Sequence, residues 1–109
     1  HNYMAKKYII VQTHTNKNEI SREISRVLIE KQLVACVNVY PAASSIFRYN
    51  NTIVEENEYL LQAKTTSDKF LDIKTVIEQL HNYETPEIIS IAILDGNADY
   101  LTWINNEIN

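Results

Sequence analysis

The chain of 109 residues is long enough for one domain with a single core, because domains of about 100 residues are the commonest size. Hydrophobic residues make up 45% and charged residues 22%, the composition of a folded globular protein rather than of a disordered one. A net charge of −4, without a stripe of clustered Lys and Arg, argues against nucleic-acid binding.

The sequence also predicts a compartment. No apolar run approaches the roughly 20 residues needed to cross a bilayer, and the N-terminus lacks the apolar middle of a signal peptide. The single cysteine, Cys36, has no partner within the chain, which fits a reducing environment. We therefore predict one cytoplasmic domain over residues 1–109 with no membrane partner. Residues 1–3 are expected to derive from an expression vector, with Met4 as the natural start.

The first elements along the chain are predicted to be a strand and a helix. Tyr8–Val11 is a short apolar run rich in β-branched residues, which is typical of a buried strand. Residues 16–18 offer candidates for the N-cap of the helix that follows. The apolar residues of that helix recur at helical spacing; they are Ile20, Ile24, Val27 and Leu28.

A long β-hairpin is expected next. Its first strand should begin at Leu33 or Val34 and resume at Ser45 to reach Tyr49, with a bulge or an edge at Pro41 because proline cannot donate to a ladder. Asn50-Asn51 predicts a two-residue turn, since Asn tolerates positive φ. The return strand should reach about Thr65.

The rest of the chain predicts a second helix, a strand and a terminal helix. Ser67-Asp68 is expected to cap the second helix, and Glu87–Leu94 is the strongest strand pattern in the chain. Asp95-Gly96 should turn into the last helix, which Tyr100 and Trp103 are expected to anchor by burial. The order β-α-β-β-α-β predicts an α+β, ferredoxin-like sandwich with an extended hairpin and a C-terminal helix.

The last strand argues against a monomer. Ile89 and Ile91 alternate with Ile88, Ala92 and Leu94, so both faces are apolar and both should be covered. The long hairpin likewise needs a partner for its edges. The alternative is that Pro41 divides the first arm of the hairpin into two ordinary strands.

Five segments resemble the CutA divalent-cation tolerance proteins in order and spacing. They are Leu33–Val39 (family L-A-A-C-V-N), Ser45–Phe47 (S-I-Y), Lys64-Thr65 (K-T), His81–Glu87 (H-P-Y-x-x-P-E) and Asp99–Ile104 (D-Y-L-x-W). The resemblance implies a homotrimer of ferredoxin-like subunits, related in architecture to PII-type signalling proteins, with a link to copper tolerance. This chain departs from the family at the hairpin tip, which lacks one aromatic and the turn glycine, and at Asn82, which replaces a proline.

His81 is the first candidate metal ligand. It lies at the end of the second helix beside Tyr83, Glu84 and Glu87, which form the densest polar cluster and a candidate small-ligand pocket together with Gln12. A neutral imidazole can bind copper or zinc. The alternative favoured by the residues alone is that His81 interacts with the last carbonyls of the helix, because one histidine without H-x-x-x-H spacing is not a metal site.

The resemblance extends the metal hypothesis to other residues. Some relatives are proposed to bind copper through a Cys, a Glu and a His, and here Glu58 and His81 match the last two positions. Gln12 stands at the Cys position, and His14 should point to the same side of the strand. The candidate set is therefore His14, Glu58 and His81, with Cu(II) or Zn(II) as a possible rather than an obligatory cofactor.

The leading interpretation is a non-enzymatic, trimeric metal- or small-ligand-binding or signalling module. One alternative is a small acylphosphatase-like hydrolase, although residues 12–16 offer neither the Gly nor the Arg of an anion cradle. Another is a structural trimeric scaffold for a partner protein. Cys36 is expected to be a buried structural thiol.

Overall fold

A computed structural model of the chain describes residues 7–109. The expectations for residues 1–3 and Met4 lie outside this range. The elements in chain order are β1 (Tyr8–Thr15), α1 (Asn18–Glu30), β2 (Cys36–Tyr49), β3 (Thr52–Thr66), a 3₁₀ turn (Ser67–Lys69), α2 (Phe70–Leu80), β4 (Ile89–Ala92) and α3 (Ala98–Glu107). The predicted α+β class and the β-α-β-β-α-β order with a terminal helix are confirmed.

The four strands form one antiparallel sheet in the order β2-β3-β1-β4. Burial alternates along β1, where the odd-numbered side chains are buried and the even-numbered ones are half-buried. The buried side packs against α1 and α2 through a core that includes Val11, Ile24 and Ile73. We call the opposite side, which presents Gln12 and His14, the open face. Among the described residues, no helix is long and apolar enough to span a membrane.

The predicted hairpin is present and long. β2 has 14 residues and β3 has 15, and the Asn50-Asn51 turn has φ angles of 51° and 63°, as a type I′ turn requires. The register shifts between Tyr40 and Ala43, where Ala42 has a φ of 64°. Pro41 therefore lies in a bulge within one strand, and the alternative of two separate strands is wrong.

β2 begins later than expected. Leu33 belongs to the turn that closes α1, because its amide donates to the Leu28 carbonyl at 3.1 Å. The Leu33 carbonyl accepts from the Thr65 hydroxyl at 2.7 Å, and Val34 is buried in the core. The backbone reaches strand geometry only from Cys36, which is half-buried rather than fully buried.

The predicted helix caps are only partly right. The N-cap of α1 is Lys17, which makes no side-chain capping bond; its amide instead donates to the Thr15 hydroxyl at 3.2 Å. Ser67 and Asp68 lie in the 3₁₀ turn that precedes α2, and Asp68 accepts a 2.6 Å hydrogen bond from the Thr66 hydroxyl. A side-chain cap does occur at α3, where Asn97 accepts from the Asp99 amide.

The last strand and the last helix differ most from expectation. β4 has only four residues, and Ile89 and Ile91 on the open face are 43% and 39% exposed in the isolated chain. α3 is anchored by Ile104, which is fully buried. Tyr100 and Trp103 are not buried anchors, because both are about two-fifths exposed and stack on each other at 5.6 Å between ring centroids.

Candidate functional site

The segment between α2 and β4 crosses one end of the sheet and is held there by His81. The Nδ1 atom of His81 accepts a 3.0 Å hydrogen bond from the Tyr83 amide, so the ring proton lies on Nε2. Nε2 donates to the His14 carbonyl on β1 at 2.7 Å. The bond from the Tyr83 amide requires a neutral ring, because a protonated Nδ1 could not accept it. Burial lowers the pKa of His81, against the opposing effects of the His14 carbonyl and the Glu58 carboxylate.

These two bonds decide between the predicted roles of His81. The imidazole bonds to β1 and to its own loop, so the predicted contact of the ring with the last carbonyls of α2 is wrong. With both ring nitrogens engaged, neither offers a lone pair to a metal ion in this conformation. Through these two hydrogen bonds, His81 holds the loop between α2 and β4 against the sheet.

Tyr83 joins the same loop to β3. Its hydroxyl donates a 2.6 Å hydrogen bond to Oε2 of Glu58, which is only 7% exposed. Burial, followed by the neighbouring Glu58 carboxylate, raises the pKa of the Tyr83 hydroxyl well above its usual range. Tyr83 therefore stays a neutral donor, which is the form that a buried carboxylate needs.

Glu87 joins the far end of the loop to β1. Its Oε2 accepts from the Gln12 side-chain amide at 3.0 Å, and its Oε1 pairs with Nδ1 of His14. Gln12 in turn accepts from Gln62 at 2.9 Å. The prediction that Gln12 and His14 share one side of β1 is confirmed. Gln12 is thereby committed to the bonds that hold Glu87 in place.

A cavity of about 650 Å³ opens between the hairpin and this loop. Among its lining residues are four glutamates and no Lys or Arg; the glutamates are Glu56, Glu58, Glu84 and Glu87. A second wall is apolar and comprises Phe47, Tyr49 and Val54. We call this cavity the acidic cleft.

The acidic cleft contains most of the predicted site residues. His14, Glu58, Tyr83, Glu84 and Glu87 line it, whereas Gln12 and His81 do not and instead support it through hydrogen bonds.

The residues that the hairpin contributes to the lining of the cleft were not predicted from the sequence. Glu56 lies two residues from Glu58 on β3 and accepts from the Asn16 side chain at 3.1 Å. Phe47 is paired with Val54 across the hairpin. The alternation of β3 beyond Glu58 is the signal that would have revealed Glu56.

The residues of this region do not form a ready-made metal site. Within residues 7–109, no three His, Cys, Asp or Glu side chains are close enough together to hold a metal ion. In the predicted set of His14, Glu58 and His81, both ring nitrogens of His81 are already hydrogen-bonded. Cys36 is outside the cleft lining, and its thiol contacts Asn38. The cleft instead offers carboxylate oxygens and one imidazole.

Comparison with known proteins places these features in a family. Residues 9–107 match the family model described as CutA1 divalent ion tolerance protein. The divalent-cation tolerance protein CutA of Thermus thermophilus is 42% identical over 86 residues, which is 79% of this chain and 84% of that protein. The CutA homologue of Xenopus laevis is 38% identical over 80% of this chain, which spans only 58% of that longer protein.

Solved structures agree with the fold. The Cut A1 structure from Thermus thermophilus superimposes with a TM-score of 0.90 at 36% identity, covering 94% of this chain and 99% of that one. A structure from Archaeoglobus fulgidus, described as the periplasmic divalent cation tolerance protein CutA, superimposes with a TM-score of 0.90 at 30% identity, covering 94% and 99%. Because that relative is described as periplasmic, the cytoplasmic location predicted for this chain stays a prediction.

Proposed function

Because this chain belongs to the CutA1 divalent ion tolerance protein family, we propose that it is a non-enzymatic homotrimer that binds a cationic ligand in the acidic cleft. The family name makes divalent metal ions the first ligands to consider. Cu(II) and Zn(II) are our candidates, with copper tolerance as the associated cellular trait and the cytoplasm as the compartment.

One observation supports this proposal above the others: four glutamates converge on one cavity whose lining includes no Lys or Arg. Like charges that share a concave, partly dehydrated site repel one another and focus a negative potential into it. A cation relieves that repulsion, whereas an anion would increase it. The acidic cleft is therefore suited to concentrating cations.

The mode of binding follows from the donors present. Carboxylates and an imidazole without a thiolate favour Cu(II) or Zn(II) over Cu(I). Since no three donors are preassembled within residues 7–109, we propose that the ion keeps part of its water shell. His14 and Glu58 belong to the cleft that would hold it, and His81 acts as a positioning residue through its bonds to the His14 carbonyl and the Tyr83 amide.

The homotrimer is proposed from the surface that the isolated chain exposes. Ile89 and Ile91 are partly exposed on the open face, and Ile46 and Ile53 are 67% and 69% exposed on the hairpin. Within the described part of the chain, the outer edges of β2 and β4 have no neighbouring strand. Apolar surface next to open sheet edges is what subunit contacts normally cover.

The alternatives receive less support. An acylphosphatase-like hydrolase would have to bind an anionic substrate, which the four glutamates oppose. A purely structural scaffold does not require a cavity with charged walls. We therefore favour a cation-binding module over these two alternatives.

Isothermal titration calorimetry with Cu(II) and Zn(II) tests the proposed function. Glu58→Gln keeps an acceptor for Tyr83 but removes the charge, and we expect it to weaken metal binding at least about tenfold. Glu23→Gln, on the exposed surface of α1, is the matched control and should bind like wild type. The proposal is contradicted if wild type binds neither ion, or if both variants bind as tightly as wild type.

His81→Ala separates positioning from ligation in the same experiment. If His81 only holds the loop, metal affinity should fall less in this variant than in Glu58→Gln. A complete loss in His81→Ala with normal binding in Glu58→Gln would instead assign the ion to His81.

A further inference from the structure

The acidic cleft is far larger than a metal ion needs. Its volume of about 650 Å³ lies within the roughly 300–1,000 Å³ that is typical of pockets for small organic molecules. Its walls are also of two kinds, acidic at one end and apolar at the other. A bare or hydrated metal ion makes no use of the apolar wall.

The register of the hairpin shows that the acidic wall and the apolar wall follow one another along the strands. On the side of the hairpin that faces the cleft, the cross-strand pairs are Ala43 with Glu58, Ser45 with Glu56 and Phe47 with Val54. Each step of two residues along a strand advances about 7 Å. The apolar wall therefore begins about 7 Å beyond Glu56, towards the tip of the hairpin.

Glu58 has one carboxylate oxygen that is open to a ligand in the cleft. It is 7% exposed, and Tyr83 donates to its Oε2, but its Oε1 accepts no hydrogen bond from any residue in the described range of 7–109. The contacts between basic and acidic side chains in that range join His14 to Glu87 and Lys74 to Glu78, and none of them involves Glu58. Among the described residues, the one fully buried side-chain oxygen or nitrogen without a partner is Thr13 Oγ1, so Oε1 of Glu58 is accessible from the cleft. A ligand with N–H donors can therefore bond to it.

Phe47 and Tyr49 suit the remainder of such a ligand. Two residues apart on β2, they project to the same side, and they are 42% and 63% exposed in the isolated chain. Aromatic faces bind apolar groups and also attract cations. The apolar wall can therefore receive a hydrocarbon body attached to a positively charged head.

We propose that the acidic cleft binds a small organic cation, with a primary ammonium group between Glu56 and Glu58 and an apolar body against Phe47, Val54 and Tyr49. An ammonium group supplies three donors, which suits the unbonded Oε1 of Glu58 and a second carboxylate. The inference rests on the proposed function, since it requires the cleft to be a cation site, and it specifies the chemical class of the ligand.

The probe pair is 4-phenylbutylamine and its neutral analogue 4-phenylbutanol, each titrated calorimetrically into the full chain near neutral pH. The amine should bind at least about tenfold more tightly than the alcohol, because only the amine offers a charge to the two glutamates. Glu58→Gln should reduce amine affinity at least about tenfold and leave the alcohol unchanged. Phe47→Ser should weaken both probes by a similar factor of about three or more.

Leu71→Ser is the matched control for Phe47→Ser, because Leu71 is 73% exposed on α2 and does not line the cleft. Circular dichroism establishes that each variant is folded. If Glu58→Gln does not fold, Glu56→Gln provides the same comparison of charge.

The outcomes separate the two proposals. If Zn(II) or Cu(II) binds and Glu58→Gln weakens it, but the amine binds no better than the alcohol, the organic cation is wrong and the proposed function stands. If the amine binds tightly but is unaffected by Glu58→Gln, its site is elsewhere and this inference is also wrong. If neither metal nor amine binds, because a neighbouring subunit fills the cleft or for any other reason, both proposals fail.

Discussion

The Tyr83 hydroxyl donates a 2.6 Å hydrogen bond to Oε2 of Glu58, joining the loop after α2 to the middle of β3. This bond places a neutral donor against a carboxylate that is almost fully buried. It also fixes the position of Glu58 at one side of the acidic cleft. The stability of the fold and the charge of the cleft are therefore linked through one pair of side chains.

Tyr83→Phe should lower the free energy of unfolding by about 1–3 kcal/mol, because it leaves the buried Glu58 carboxylate without its donor. Urea unfolding at a fixed protein concentration measures the change. Tyr100→Phe is the matched control: its ring is 42% exposed, and we expect a change within about 0.5 kcal/mol. Equal effects of the two variants would contradict the importance of the Tyr83–Glu58 bond.

His81 should make the fold sensitive to acid. Its pKa in the folded protein is lowered from 6.5, chiefly by burial, so the unfolded chain takes up the proton first as the pH falls. The contribution of neutral His81 to stability is present above pH 6.5 and is lost as the pH falls from there through its folded pKa. Protonated Nδ1 could no longer accept from the Tyr83 amide.

Urea midpoints measured from about pH 8 to about pH 5 test this sensitivity. We expect wild type to lose stability over the acidic part of the range more steeply than His81→Gln. Parallel curves for the two proteins would show that His81 does not contribute to the pH dependence.

Ile91→Asp should weaken the proposed homotrimer. Ile91 is 39% exposed on the open face of the isolated chain, and an aspartate buried in a subunit contact would be left without a partner. Light scattering coupled to gel filtration should give about three times the chain mass of 12.7 kDa for wild type and smaller species for the variant. Leu71→Asp, on the outer surface of α2, should behave as wild type. A monomeric wild type would contradict the proposed homotrimer.

Ala42→Gly should stabilise the protein by about 0.5–1 kcal/mol. Ala42 has a φ of 64° in the bulge beside Pro41, a conformation that costs a residue with a Cβ about 1–2 kcal/mol. Glycine avoids this steric cost but loses about 0.5–1 kcal/mol more chain entropy on folding, which leaves the smaller net gain. Thermal unfolding measures the gain. Ala43→Gly, one residue further along β2, should be destabilising instead, so a gain in both variants would contradict the assignment of strain to the bulge.

Much of the fold could be predicted because local chemistry and periodicity agreed. The Asn50-Asn51 turn, the bulge at Pro41 and the helical stripe containing Ile24 each follow from properties of single residues or of their spacing. The family was predicted from five short segments, and the match of residues 9–107 to the family model confirms it. The length of the last strand was wrong because Glu87–Leu94 is mostly apolar, and an apolar run does not reveal how many of its residues pair with a neighbouring strand.

The candidate site was harder to predict because its parts come from three regions of the chain. Glu58, Tyr83 and Glu87 were identified as candidates, but their bonds to one another and to β1 depend on how the loop crosses the end of the sheet. The engagement of both His81 nitrogens cannot be inferred from the sequence, since the His14 carbonyl is 67 residues away. Whether that histidine binds a ligand or holds the loop depends on its tertiary contacts and not on its residue type.

Anomalous diffraction from crystals grown with Cu(II) or Zn(II) shows whether cations bind in the acidic cleft. We expect an anomalous peak inside the cleft, within reach of the carboxylates of Glu56 and Glu58, with His81 still bonded to the His14 carbonyl. A peak coordinated by the His81 ring, or no peak in the cleft at saturating metal, would contradict it.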